Sequence, residues 1–75
     1  MPEHEIGGRK FTVGDRTEEC LFLLARGNSY QAIAEACDIS ISTVGNLLSQ
    51  ATQKARKAGI NVAGAQDLAS WIFPK

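Results

Sequence analysis

Several features are scarce in this sequence, and each absence removes a class of protein. No apolar run approaches the roughly 18 residues that a membrane span requires, and no segment resembles a signal peptide, so we expect a cytoplasmic protein without membrane contact. One His and two Cys with no CxxC pair predict no metal site. Because Cys20 and Cys37 fall at apolar helical positions, we interpret both as core residues rather than a disulfide. No catalytic pattern or Gly-rich phosphate loop is present, so we predict no catalytic residue, no cofactor and no enzyme.

An excess of charge is also lacking. Eight basic and eight acidic residues leave a formal net charge of zero, whereas phosphate neutralisation supplies most of the non-specific affinity of a nucleic-acid binder. Any basic surface must therefore arise from where the charges lie in the fold. A chain of 75 residues has room for one domain with a marginal core, so we expect a compact helical fold or an oligomer.

The central feature of the chain lies at residues 30–50, YQAIAEACDISISTVGNLLSQ, and indicates two short helices joined by a tight turn. Ala34 is small enough to let the helices approach closely. Asp38 can hydrogen-bond locally and can adopt a left-handed backbone conformation. Val44 anchors the second helix and, with Ile39, fills the angle between the two. This order of residues predicts a helix-turn-helix.

Apolar periodicity extends this prediction to an all-α domain without wing elements. We expect four helices, near residues 15–26, 30–37, 41–58 and 62–73. Their expected N-caps are Asp15, Ser29, Ser40 and Asn61. Residues 1–14 mix Pro, paired Gly and charges without periodicity, so we expect a flexible lead-in or linker before a domain at 15–75. The predicted core consists of Leu21, Leu24, Ile33, Ala34, Ile39, Val44, Leu47 or Leu48, and Leu68.

The outward face of the third helix is polar but uncharged. It carries Ser42, Gly45, Asn46, Ser49, Gln50 and Gln53, and Asn46 can make a bidentate pair with adenine. The N-terminus of a helix binds phosphate readily. At the N-terminus of the second helix lie Ser29, Tyr30 and Gln31. Near the end of the third helix, Lys54, Arg56 and Lys57 either contact phosphates or complement the negative helix C-terminus; both interpretations remain open.

The segment DRTEECLFLLARGNSYQAIAEACDISISTVGNLLSQ resembles the LuxR-type (GerE-type) helix-turn-helix domain of bacterial transcription regulators. The resemblance covers about residues 15–72. The residues that agree with the family pattern in type and order are Arg16, Glu19, Leu21, Leu23, Leu24, Ala25, Gly27, Ser29, Ile33, Ala34, Ile39, Ser40, Thr43 and Val44. It implies a sequence-specific DNA-binding domain whose third helix enters the major groove of double-stranded DNA.

The resemblance also implies roles for individual residues. The expected base contacts are Thr43, Gly45, Asn46 and Ser49. The expected backbone contacts are Ser29, Tyr30, Gln31, Ser42, Lys54, Arg56 and Lys57. Gly45 stands where the family usually has a basic residue, and Leu47 where it often has His, so only short neutral side chains face the groove. Two alternatives are a helix-turn-helix protein-interaction module without strong DNA binding and a sigma-factor region-four-like domain.

The fourth helix ends in a large apolar cluster of Trp71, Ile72 and Phe73. In the resembling family a helix at this position forms the dimer contact, which implies a homodimer through Leu68, Trp71 and Ile72. Alternatively, Trp71 and Phe73 fold back on the first helix and close the core of a monomer, because a domain of this size needs each large apolar side chain it can bury.

Overall fold

The computed structural model of the chain describes residues 1–74, which form a two-stranded hairpin followed by four helices. The elements are β1 Glu3–Ile6, β2 Arg9–Thr12, α1 Asp15–Ala25, α2 Tyr30–Cys37, α3 Ile41–Lys57 and α4 Ala65–Ile72. Helix α1 packs against the other three helices, while β2 packs against α3 and β1 packs against α4. The prediction of four helices in residues 15–74 is confirmed, and the fold as a whole is mostly helical with one small sheet.

Local side-chain chemistry explains the starts of α2 and α3. The Ser29 hydroxyl accepts a hydrogen bond from the Ala32 amide at 3.1 Å, and the Ser40 hydroxyl accepts one from the Thr43 amide at 3.1 Å. Each serine thereby satisfies an amide in the first helical turn. Both predicted caps are confirmed. Helix α1 differs slightly, because Gly14 occupies the N-cap and Asp15 is the first helical residue.

The turn between α2 and α3 has the backbone conformation that the sequence predicts. Asp38 has φ 56° and ψ 48°, in the left-handed region that Asp tolerates better than most residues. The amide of Ile39 donates to the carbonyl of Ala34 at 3.0 Å, which closes the C-terminus of α2. Val44 is fully buried behind this turn, as predicted for the anchor of the second helix.

The prediction of a flexible lead-in at residues 1–14 is wrong, and so is that of a fold without strands. Residues 3–12 form an antiparallel hairpin with His4 opposite Phe11 and Glu5 opposite Lys10. Its two-residue turn, Gly7 and Gly8, has positive φ at both positions, which glycine adopts without strain. A Gly-Gly pair between two short segments is a recognised hairpin pattern. The hairpin then gains its stability by packing on the helices.

The hairpin and the helices share a single core. Phe11 and Val13 are buried in it beside the predicted helical residues. Leu47 and Leu48 were alternatives in the predicted core; Leu48 is the fully buried one, and Ile39 is only half-buried. The remaining predicted core residues, Leu21, Leu24, Ile33, Ala34, Val44 and Leu68, are all buried.

Both cysteines are buried and free, so their interpretation as core residues is confirmed. Burial raises the pKa of the Cys20 thiol. Burial, reinforced by Glu19, raises the pKa of the Cys37 thiol to about 12. Both side chains therefore remain protonated near neutral pH and behave as small apolar groups.

Helix α4 begins at Ala65, three residues later than the predicted start, and Asn61 does not cap it. The Arg56 guanidinium donates to the carbonyl of Val62 at 3.1 Å and to that of Ala63 at 3.1 Å. The Asp67 carboxylate accepts from the Ala63 amide at 3.0 Å. These bonds satisfy the polar backbone groups of Val62 and Ala63 in a loop conformation, and residues 61–64 precede α4 as a loop.

Candidate nucleic-acid interface

Helix α3 has one buried side and one polar side. The buried residues Val44, Leu48, Ala51, Thr52 and Ala55 recur at helical spacing. The Thr52 hydroxyl donates to the carbonyl of Leu48 at 3.0 Å, so this buried polar group is satisfied. The opposite side exposes Ser42, Asn46, Ser49, Gln50, Gln53 and Lys57. Five of the six residues predicted to face outward are therefore exposed in the folded helix, and the sixth, Gly45, is partly buried.

The structure brings several predicted contact residues to one shallow groove. Tyr30 from the start of α2 and Gly45, Ser49 and Arg56 from α3 line a depression of about 260 Å³. Thr52 and Gln53 of α3, the loop residue Gly64 and the first residue of α4, Ala65, complete it. The sequence prediction missed the contribution of the loop, because it placed residues 62–64 inside the fourth helix. The N-termini of α2 and α4 thus both lie beside the polar side of α3.

Gly45 has no packing role that explains a glycine. An ideal Cβ at this position would meet no atom of the described residues within 4 Å, apart from its own helical backbone and chain neighbours. Its φ is not positive, so the conformation suits any residue. Glycine inside a helix nevertheless costs about 0.5–1 kcal/mol relative to alanine. The fold itself therefore gains nothing from the missing side chain.

Two of the predicted polar contacts participate in helix capping. The Ser29 hydroxyl caps α2, while the neighbouring Tyr30 and Gln31 are exposed. The Thr43 hydroxyl lies 2.8 Å from that of Ser40, so Thr43 belongs to the cap of α3 and is only half-exposed. Asn46, about one turn further along, and Ser49, nearly two turns along, are on the exposed side.

The three basic residues of α3 point in different directions. The Lys54 ammonium donates to the carbonyl of Thr12 in β2 at 3.2 Å, and Arg56 holds the loop before α4. Lys57 follows Asn46 by about three helical turns and is exposed on the same stripe. The sequence left open whether these residues contact phosphates or complement the negative helix C-terminus. In the structure Arg56 has a defined role in holding the loop, and Lys57 is the cation best aligned with Asn46.

The predicted dimer contacts separate into buried and exposed residues. Leu68 is completely buried, so its assignment to a dimer contact is wrong; the side chain fills the space between α4 and the rest of the core. Trp71 is 59% exposed and Ile72 is half-buried. The Phe73 ring lies edge-on to Phe22 of α1 at 5.3 Å. The fold-back alternative therefore applies to Phe73 and not to Trp71.

The described part of the chain offers little further chemistry at this face. Among residues 1–74, no three His, Cys, Asp or Glu side chains gather as a metal ion would require. No helix in that range has both the length and the apolar character to cross a lipid bilayer. Comparisons with protein-family models, curated proteins and solved structures found no match to this chain.

Proposed function

We propose that the chain is a helix-turn-helix DNA-binding domain of the kind found in LuxR-type transcription regulators, with α3 in the major groove of double-stranded DNA. The observation that carries this proposal is Gly45, partly buried in the groove at the edge of the polar, acid-free side of α3. A glycine in a helix interior lowers the stability of the helix. A ligand whose backbone must approach α3 closely would explain why glycine is present at this position. Asn46 and Ser49 stand beside that gap with the hydrogen-bonding groups that read base edges.

The proposed backbone contacts are exposed residues around the polar side of α3. Tyr30 and Gln31 are exposed at the N-terminus of α2, where helix amides and the helix dipole favour phosphate. Ser42 and Lys57 lie at opposite ends of the exposed stripe of α3. Such contacts position a duplex without reading its sequence. A sigma-factor region-four-like domain would use the same arrangement and is a variant of this proposal.

The test compares Asn46→Ala with Asn61→Ala, which removes the same amide from an exposed loop residue. A preferred duplex is first selected from a random library, and binding is then measured on it and on an unrelated duplex. Asn46→Ala should weaken binding to the preferred duplex by about 1–3 kcal/mol and barely affect the other. Asn61→Ala should affect neither. Equal losses on both duplexes for Asn46→Ala would remove Asn46 as a base reader.

A second candidate function is a protein-interaction module, including a homodimer. Two large apolar side chains favour it: Trp71, 59% exposed, and Phe22, 43% exposed. Phe22, Arg26 and Phe73 also line a groove of about 600 Å³ between the ends of α1 and α4. Binding to any duplex that is weak and insensitive to salt would favour this candidate over DNA recognition.

A further inference from the structure

The amino-terminal hairpin brings additional positive charge to the end of α3. The Lys54 ammonium binds the carbonyl of Thr12 at 3.2 Å, which fixes β2 beside the C-terminal half of α3. Further along β2, the Arg9 guanidinium lies against Gly59, with Nη1 3.0 Å from the position of an ideal Cβ on that glycine. β2 thereby brings Arg9 to the end of the molecule that carries Lys54 and Lys57. Lys10 follows Arg9 in the strand and lies on the outer face of the hairpin, opposite Glu5.

The sign of charge is uniform on these two elements. β2 and α3 together contain five of the chain's eight basic residues and no acidic residue. Those five are Arg9, Lys10, Lys54, Arg56 and Lys57. The eight acidic residues lie on β1, α1, α2, α4 and the turn before α3. Basic residues are thus concentrated on β2 and α3, while β1, which pairs with β2, carries Glu3 and Glu5, and Arg16 and Arg26 lie on α1 and at its end. Phosphate is attracted by the local potential rather than by the total charge.

The local contacts of Arg9 and Lys10 neither bury nor neutralise their charges. Glu5 lies opposite Lys10 in the hairpin register, but within residues 1–74 the only ion pair at contact distance joins His4 and Glu18. Arg9 complements the negative end of α3, yet its side chain is exposed. Both cations are therefore accessible to a ligand.

We propose that Arg9 and Lys10 of the hairpin, with Lys54 and Lys57 of α3, form a second phosphate-binding surface that holds the backbone of the duplex beside the reading face. This inference rests on the proposed function, because it assigns a further contact to the same DNA. The hairpin then has a binding role in addition to its contribution to the core.

The test measures the salt dependence of binding of the full chain to the preferred and the unrelated duplex. Each phosphate contact contributes about 0.9 to the slope of log K against log salt concentration. Lys10→Gln and Arg9→Gln should each lower the slope by about that amount and weaken binding to both duplexes by the same factor. Arg9→Lys, which retains the charge, should keep the slope. Arg26→Gln is the matched control, because it removes one exposed charge at the end of α1.

The outcomes separate the two proposals. Circular dichroism first establishes that the variants are folded. If Arg26→Gln lowers the slope as much as Lys10→Gln, or if neither hairpin variant changes it, the hairpin surface is refuted while DNA reading by Asn46 stands. If the wild-type chain shows no salt-dependent binding to either duplex, the proposed function fails, and the hairpin surface fails with it.

Discussion

Replacing Gly45 with alanine should stabilise the fold and weaken DNA binding. The new methyl group meets no described atom within 4 Å beyond its own helix and chain neighbours, so no steric cost opposes the gain in helix propensity. That gain is about 0.5–1 kcal/mol. For a domain of this size it corresponds to a rise of about 2–8 °C in the midpoint of thermal unfolding.

The effect on binding should have the opposite sign. If the DNA approaches α3 closely at Gly45, the added methyl group overpacks the contact. Overpacking of a well-fitted contact costs about 1–3 kcal/mol, which is about a 5- to 150-fold loss of affinity. Thermal unfolding followed by circular dichroism and titration of the preferred duplex provide the two measurements.

A reverse substitution controls for helix propensity alone. Ala36→Gly changes an exposed residue of α2 and should lower stability by about 0.5–1 kcal/mol while leaving DNA affinity unchanged. A destabilised Gly45→Ala variant would contradict the open space seen beside Gly45. A variant with higher stability and unchanged affinity would show that no ligand needs the gap, and the main support for the DNA-binding proposal would be lost.

Three further predictions concern the core, the thiols and association. Phe11→Ala should cost about 3–5 kcal/mol in chemical denaturation and Phe22→Ala clearly less, because Phe11 is 7% and Phe22 43% exposed; equal costs would contradict a structural hairpin. Burial raises the pKa of the Cys37 thiol to about 12. The protonated thiol should therefore contribute its full stabilisation of the fold below about pH 8.5, and this contribution should decline toward pH 12. Cys37→Ala should flatten that decline by up to about 1.4 kcal/mol per pH unit, and an unaltered pH profile would refute it. Trp71→Ala should remain folded, and sedimentation should find it more monomeric than the wild type if α4 mediates a dimer; a monomeric wild type at high concentration would exclude that dimer.

The sequence alone determined the features whose hydrogen bonds are local. Ser29 and Ser40 cap amides three residues away, and Asp38 adopts the left-handed conformation within its own turn. The periodicity of apolar residues also located the buried side of α3 correctly. Each of these features depends on neighbours within about one helical turn, so a sequence window contains all the interacting groups.

The tertiary structure decided the features that depend on distant partners. The hairpin is held on α3 through Lys54 and Thr12, which are far apart in the sequence, and Arg56 delays the start of α4 through loop carbonyls. Likewise, Leu68 is buried and Trp71 is exposed only because of the way α4 packs against the other helices. Periodicity identifies an apolar stripe, but which of its members reach the core depends on how the helix is placed against its neighbours. The groove beside Gly45 and the basic end of the molecule are assembled by the same long-range packing.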